Sequence, residues 1–152
     1  MESGGAARDT GQAMSEENVE IVRRVLDAFQ SGLESDDPGA AFDTGMVAVD
    51  AEWIPGRGFP GPRSYRGRDG FIEFMRTWTE DFEGWSNRIE RLIDAGNDRV
   101  VGVFRQSGTG KGSRLAVEIR LATVYELEGG QIVRMRIYLD PDEALEAAGL
   151  SD

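Results

Sequence analysis

The chain has 152 residues, of which 39% are hydrophobic and 30% are charged, a composition typical of one folded domain. Its 28 acidic residues outnumber the 17 basic ones and give a formal net charge of −11, which argues against nucleic acid or an anionic membrane surface as a partner. Cysteine and histidine are both absent. This absence excludes disulfides, thiolate nucleophiles, cysteine or histidine metal sites and histidine acid–base catalysis. We expect a cytoplasmic protein with no metal and no cofactor.

The N-terminal third is predicted to be helical after an unstructured tail. Residues 1–13 are rich in glycine and alanine and lack apolar periodicity, which predicts a disordered tail. Ser15 is a suitable N-cap, and apolar residues recur at helical spacing after it, so a helix is predicted over residues 15–31. Asp37 followed by Pro38 predicts a second, short helix through Phe42.

The middle of the chain combines a strand, a loop and a third helix. Residues 47–54 have the composition of a strand, and the Pro- and Gly-rich residues 55–67 predict a long loop of the kind that often carries function. The third helix is predicted over residues 70–83. Its bulky stripe consists of Phe71, Phe74, Met75, Trp78 and Phe82.

Four strands and a short helix complete the chain. The strands are predicted near residues 85–94, 98–106, 113–127 and 131–139, with turns at glycine-containing segments. Asp140 begins a capping-box sequence, and Gly149 ends the closing helix. Helices followed by strands with one apolar face predict an α+β fold. In this fold a curved antiparallel sheet wraps around three N-terminal helices and leaves a cone-shaped cavity between them.

Several segments carry a family resemblance in collinear order over residues 14–150. They read SEENVEIVRRVLDAF, VDAEWIP, YRGRDGFIEFMRTW, IDAGNDRVVGVFR, VYELEGGQIVRMRIYLD and DEALEAAGL. This pattern resembles the SnoaL-like family of the nuclear transport factor 2-like superfamily. The resemblance implies the cystatin-like α+β cone as one domain over residues 14–150. It also implies a homodimer that pairs through the outer face of the sheet, as in many relatives.

The catalytic residues of that superfamily do not carry over to this sequence. The ketosteroid isomerase base would fall near Pro55, and the epoxide hydrolase set would fall near Val100, Gly102 and Ile137. None of these side chains exchanges protons. Trp53 replaces the tyrosine of the first strand, and the acid–base aspartate of the polyketide cyclases has no match.

Large apolar side chains are expected to line the cone. The predicted ligand-binding residues are Trp53, Tyr65, Phe74, Trp78, Phe82, Phe104, Ile119, Met135 and Ile137. Such residues also fill an ordinary core, so each has a purely structural alternative. Trp53 and Trp78 are the preferred candidates, because an indole can stack on a planar ligand.

Two residues are weak catalytic candidates. Tyr65 lies in the Pro- and Gly-rich loop, where a phenol can donate a hydrogen bond to a carbonyl or enolate over the mouth of the cavity. Its structural alternative is packing on the rim. Asp140 is a lone acid at the end of the last strand, and its alternative is the N-cap of the closing helix.

The outer face of the sheet is predicted to be polar. By strand alternation, the residues on that face are Glu118, Arg120, Arg134, Arg136 and Tyr138. We expect a ladder of charges there and interpret it as a dimer interface, with a solvated face as the alternative.

Two functions are compatible with these patterns. The first is a SnoaL-like protein that binds a hydrophobic, polyketide- or terpenoid-like molecule and acts as a cofactor-free isomerase or cyclase. The second is a binding or dimerisation module without activity. An ionisable side chain that points into the cone would favour the first function.

Overall fold

The structure is a computed structural model in which residues 2–59 and 61–150 are described, with side chains described from residue 16 onward. Helix α1 spans Glu2–Glu34, a 3₁₀ helix spans Ala40–Thr44, α2 spans Gly67–Thr79 and α3 spans Pro141–Ala147. The backbone over residues 2–13 is therefore helical where the sequence predicts a disordered tail. No proline interrupts this stretch, so the helix continues one hydrogen bond per residue towards the N-terminus.

Six strands form a single curved sheet. They are β1 (Val47–Pro55), β2 (Tyr65–Arg66), β3 (Phe82–Gly96), β4 (Arg99–Gly110), β5 (Ala116–Glu128) and β6 (Gln131–Tyr138). Their order across the sheet is β2-β1-β6-β5-β4-β3. Irregular pairing within β3 and β4 bends this part of the sheet.

The α+β class is confirmed, but three details of the prediction are wrong. The sheet is mixed, because β1 runs parallel to β6. The second predicted helix is a 3₁₀ helix, so only two of the three α-helices, α1 and α2, precede the long strands, while α3 follows them. The third predicted helix ends at Thr79 rather than residue 83, since Phe82 already pairs with Gly110 on β4.

The two faces of the sheet are covered by different helices. The inner face packs against α1 and α2 in a large apolar core that includes Val22, Phe29 and Phe71. The outer face carries a second, smaller apolar cluster in which Val101 and Ala122 meet α3. Small side chains on the outer face allow α3 to approach the sheet closely.

Helix α3 begins as its sequence predicts. The Asp140 side chain accepts a hydrogen bond of 3.0 Å from the backbone N–H of Asp142, which satisfies one of the free donors at the start of the helix. Within residues 2–59 and 61–150, none of the helices combines the length and the apolar character that crossing a bilayer requires.

Candidate functional site

A cavity of about 60 Å³ lies between the inner face of the sheet and the helices. Side chains of α1, the 3₁₀ helix, α2 and every long strand contribute to its wall, together with Phe59 from the loop between β1 and β2. A single water molecule needs roughly 10–15 Å³ of such space, so the cavity has room for a small molecule. None of the 21 residues that form its wall is charged.

Aromatic rings form most of one side of this wall. Trp53 packs edge-on against Phe71, with ring centroids 4.5 Å apart, and tilted against Phe74 at 5.4 Å. Phe59 lies 4.7 Å from Trp78. These separations are typical of favourable aromatic pairs. The aromatic wall therefore offers flat surfaces to a ligand.

A chain of three polar side chains crosses the wall from α2 to β3. The indole Nε1 of Trp78 donates to Oε1 of Gln106 at 2.9 Å, and Nε2 of Gln106 donates to Oδ1 of Asn87 at 3.0 Å. Gln106 and Asn87 are direct partners in the pairing of β4 with β3. We call Trp78, Gln106 and Asn87 the amide chain. It is the main polar feature of an otherwise apolar cavity.

Thr123 and Tyr125 add two hydroxyl groups on β5. Both side chains are buried and line the cavity. Burial raises the pKa of Tyr125 well above its usual value, and the Thr123 hydroxyl offsets part of that rise. Tyr125 therefore stays protonated at neutral pH, where its phenol can donate a hydrogen bond but cannot act as a base.

Two buried polar atoms near the cavity have no hydrogen-bond partner in the part of the chain that the structure describes. They are Nε1 of Trp53 and the hydroxyl of Tyr65. Burial, together with the nearby charge of Glu73, raises the pKa of Tyr65. Tyr65 is 5% exposed and belongs to β2, so it is packed into the core rather than held over the cavity mouth.

The structure brings together six of the nine predicted ligand-binding residues. Those lining the cavity are Trp53, Phe74, Trp78, Phe104, Met135 and Ile137. Tyr65, Phe82 and Ile119 do not line it. Phe82 begins β3 and approaches Gly108, while Ile119 packs on the edge of the core.

Sequence reasoning missed the polar part of the wall. Asn87 lies between Trp85 and Ile89 on β3, and Gln106 follows Phe104 by two residues on β4. Alternation along a strand places such residues on one face. The sequence signal for this polar part of the wall is therefore a polar residue at an inward position in each of two neighbouring strands.

The predicted outer-face residues form two ionic clusters. In the first, Glu90 accepts hydrogen bonds from Arg120 at 2.8 Å and Arg105 at 3.3 Å, and Arg105 also donates to Glu118 at 2.8 Å. The Arg120 bond is the main cause of a lowered pKa at Glu90. The sequence analysis did not predict that Glu90 and Arg105 belong to this ionic cluster.

The second ionic cluster also lies on the outer face of the sheet, with α3 between it and the first cluster. Glu126 accepts from Arg134 at 3.2 Å and from Arg136 at 3.1 Å, and Arg134 also donates to Glu52 at 3.1 Å. Tyr138 packs against the outer apolar cluster instead of joining these ions.

The catalytic candidates lie outside the cavity wall. Asp140 is exposed and caps α3, and Tyr65 is buried behind Phe74, 5.5 Å away between ring centroids. Among the described residues there is also no group of three or more acidic side chains suited to hold a metal ion. The cavity can bind a neutral molecule through aromatic contacts and a few hydrogen bonds.

The family of this chain follows from a comparison with known protein families. The model of the SnoaL-like domain matches residues 22–135, which is most of the chain. The chain belongs to the SnoaL-like domain family. No curated protein matches it.

Solved structures of nuclear transport factor 2-like proteins share the fold of this SnoaL-like chain. One from Burkholderia thailandensis is 28% identical with a TM-score of 0.63, and the match covers 85% of this chain and 96% of that one. A putative SnoaL-like polyketide cyclase from Jannaschia is 23% identical with a TM-score of 0.66, over 90% and 94% of the two chains. TerC, co-crystallised with polyporic acid, is 18% identical with a TM-score of 0.65, over 88% and 98%.

Proposed function

We propose that this protein is a cytoplasmic, cofactor-free SnoaL-like protein that binds a small, uncharged, aromatic or apolar molecule in the cavity between helices and sheet. The observation that carries the proposal is the composition of the wall, in which aromatic rings and a few polar groups surround open space and none of the described residues is charged. Burying an ion there without a partner would be unfavourable. An uncharged molecule avoids this cost and gains the hydrophobic contribution.

The ligand class follows from the size and flatness of the cavity. About 60 Å³ of space is less than the roughly 150 Å³ of an apolar cavity that holds benzene, so we expect a ligand of at most one or two rings, which enters as wall side chains move apart. TerC with polyporic acid shares the fold, which supports aromatic compounds as the first class to test. Polyketide- or terpenoid-like molecules of this size are the proposed natural ligands.

A second candidate is cofactor-free isomerisation or cyclisation of the same ligand. The observation in its favour is Tyr125, the one ionisable side chain among the wall residues. Because its raised pKa keeps the phenol protonated, Tyr125 is suited to stabilise a developing enolate by hydrogen bonding rather than to remove a proton. Because Tyr125 does not act as a base, the proton that the substrate loses must pass to water or to another group of the substrate itself. If no ligand reacts in this way, the protein is a binding module without activity.

Tryptophan fluorescence tests the binding proposal directly, because all three tryptophans, Trp53, Trp78 and Trp85, line the cavity. We would titrate the protein with indane, 1-indanone and naphthalene, and record the melting temperature in parallel. A bound ligand changes the emission and raises the melting temperature, since it stabilises only the folded state.

Two variants serve as controls for the titration. Trp78→Phe should weaken the fluorescence change and the affinity together, because Trp78 is both a reporter and a wall residue. Leu115→Ala should leave both unchanged, because Leu115 is 66% exposed and remote from the wall. Unchanged emission and melting temperature across all three compounds would contradict the proposal. Mass spectrometry of each compound after incubation then distinguishes an enzyme from a binding protein.

We also propose that the protein is a homodimer that pairs through the outer face of the sheet. Helix α3 covers the middle of that face, so the open part carrying Glu118 and Arg120 is the proposed contact. Arg120→Ala should shift the protein towards the monomer in analytical ultracentrifugation. Arg24→Ala, which changes an exposed ion pair on α1, should not. A wild-type monomer at high concentration would overturn this proposal.

A further inference from the structure

The amide chain has a fixed direction, although amide groups can usually be placed either way round. An indole N–H can only donate, so the side chain of Gln106 must present Oε1 to Trp78. The NH2 group of Gln106 then points to Asn87 and donates to its Oδ1. Each amide orientation is therefore imposed by the preceding donor.

The chain ends in an unused donor group. Since Oδ1 of Asn87 accepts from Gln106, Asn87 must present its Nδ2 hydrogens at the far end of the chain. Within residues 16–59 and 61–150, no side chain or backbone group accepts from this Nδ2. Asn87 is half-buried and belongs to the cavity wall. This Nδ2 is not among the fully buried atoms that have no partner, so a ligand in the cavity can reach it.

We propose that Asn87 is a specificity-determining residue whose Nδ2 donates a hydrogen bond to an uncharged carbonyl oxygen of the ligand. This inference rests on the proposed function and narrows its ligand class from apolar molecules to cyclic aromatic ketones, quinones or enones. A carbonyl oxygen only accepts hydrogen bonds, and the Nδ2 group of Asn87 only donates them, so the two groups are complementary.

A carboxylate is the competing acceptor, and the wall argues against it. Among the residues that the structure describes, no arginine or lysine lines the cavity, so a carboxylate would lie in an apolar space with one neutral donor beside it. Such a group remains largely uncompensated. A neutral carbonyl pays a much smaller desolvation cost, which one hydrogen bond can offset.

Two matched probes and one isosteric variant test the assignment. Indane and 1-indanone share the same bicyclic skeleton and differ in one CH2 or C=O group. Asn87→Asp keeps an oxygen for the Gln106 donor but removes the Nδ2 hydrogens. We expect this variant to bind 1-indanone about tenfold more weakly than the wild type, the loss of one hydrogen bond. Its affinity for indane should stay within about twofold, since no hydrogen bond is involved.

Control variants separate this effect from charge and folding. Asn97→Asp makes the same chemical change in the exposed turn between β3 and β4 and should leave both affinities unchanged. Asn87→Leu removes the donor without adding a charge, so it keeps the test valid if Asp at this position disturbs the fold. It should weaken only 1-indanone.

The carbonyl stretch of bound 1-indanone gives an independent readout. We expect a shift to lower frequency in the wild type, as for a hydrogen-bonded ketone, and loss of that shift in both Asn87 variants. If the probes bind but 1-indanone shows no shift and no dependence on Asn87, this assignment is overturned and the proposed function stands. If neither probe binds, both are overturned.

Discussion

Trp53 and Tyr65 are direct partners in the pairing of β1 with β2, and each has a buried polar atom without a hydrogen-bond partner among the described residues. The Tyr65 hydroxyl lies close to Gly61, where an added Cβ would be 2.6 Å from it. A buried hydroxyl in this situation has lost its hydration without compensation.

Tyr65→Phe is therefore expected to stabilise the protein by about 1 kcal/mol, because it removes the unpaired hydroxyl and keeps the ring. Urea unfolding measures the change. Tyr138→Phe, which alters a half-buried tyrosine on the outer face, should change the free energy of unfolding by less than about 0.5 kcal/mol. A destabilised Tyr65→Phe variant would mean that the hydroxyl is satisfied, for example by an ordered water.

Glu90 is expected to make the protein sensitive to acid. Hydrogen bonds from Arg120 and Arg105 lower the pKa of Glu90 below its usual value of 4.5. A carboxyl with a lowered pKa stabilises the folded state above about pH 4.5, and this stabilisation is lost as the pH falls through the folded-state pKa. In Glu90→Gln, the urea midpoint should be lower than that of the wild type at neutral pH. The two midpoints should converge as the pH falls below about 4.5 and through the lowered folded-state pKa.

The matched control for this pH series is Glu128→Gln, an exposed carboxyl at the end of β5. Its midpoint should follow that of the wild type at every pH. If the urea midpoints of the wild type and Glu90→Gln differ by the same amount at every pH, the effect of Glu90 on stability does not depend on its protonation.

Asp140 is expected to act through α3 and not through the cavity. Asp140→Ala removes the bond to the N–H of Asp142 and should cost about 1 kcal/mol of stability. Asp140→Asn keeps an N-cap oxygen and should cost much less. Neither variant should alter ligand affinity in the fluorescence titration. A loss of binding in Asp140→Asn would restore Asp140 as a candidate for the site.

Gly102 is expected to control the space available in the cavity. A Cβ atom at this position would lie 2.7 Å from Cζ of Phe104 and 3.3 Å from the Tyr125 ring. Because Phe104 and Tyr125 both line the cavity, Gly102→Ala should displace their rings. We expect a loss of about 1–3 kcal/mol in stability, the usual cost of overpacking, and weaker binding of naphthalene.

Gly112→Ala is the control for this substitution. No atom lies within 4 Å of a Cβ at Gly112, in the turn between β4 and β5. Its stability and its affinity for naphthalene should equal those of the wild type. Equal behaviour of Gly102→Ala would show that the rings adjust without affecting the cavity.

Much of the apolar wall could be predicted from local patterns. Phe74 and Trp78 lie four residues apart on α2, and Met135 and Ile137 alternate with arginines on β6, so periodicity alone assigns their faces. Phe82 shows the limit of this approach. It continues the helical spacing of α2, but the chain leaves the helix at Thr79 because residue 82 pairs with β4.

Features that depend on long-range pairing were not predictable. Trp78 and Gln106 are separated by 28 residues, and their contact requires both the register of β3 with β4 and the angle of α2 over the sheet. Tyr65 was expected in a loop because Pro and Gly surround it. Tyr65 and Arg66 instead form strand β2, because they pair with the otherwise exposed edge of β1.

The parallel pairing of β1 with β6 has a consequence for biosynthesis. Glu52 and Arg134 are 82 positions apart in the sequence and hydrogen-bond to each other. In the described sheet, the only strand beside β1 before β6 exists is the two-residue β2. Long-range strand pairs form slowly, because the connecting chain must be ordered first. On the ribosome, β1 and its tryptophan therefore cannot take their final place in the sheet until the residues of β6 have emerged. The wall of the apolar cavity, which includes Met135 and Ile137 of β6, is complete only after that pairing.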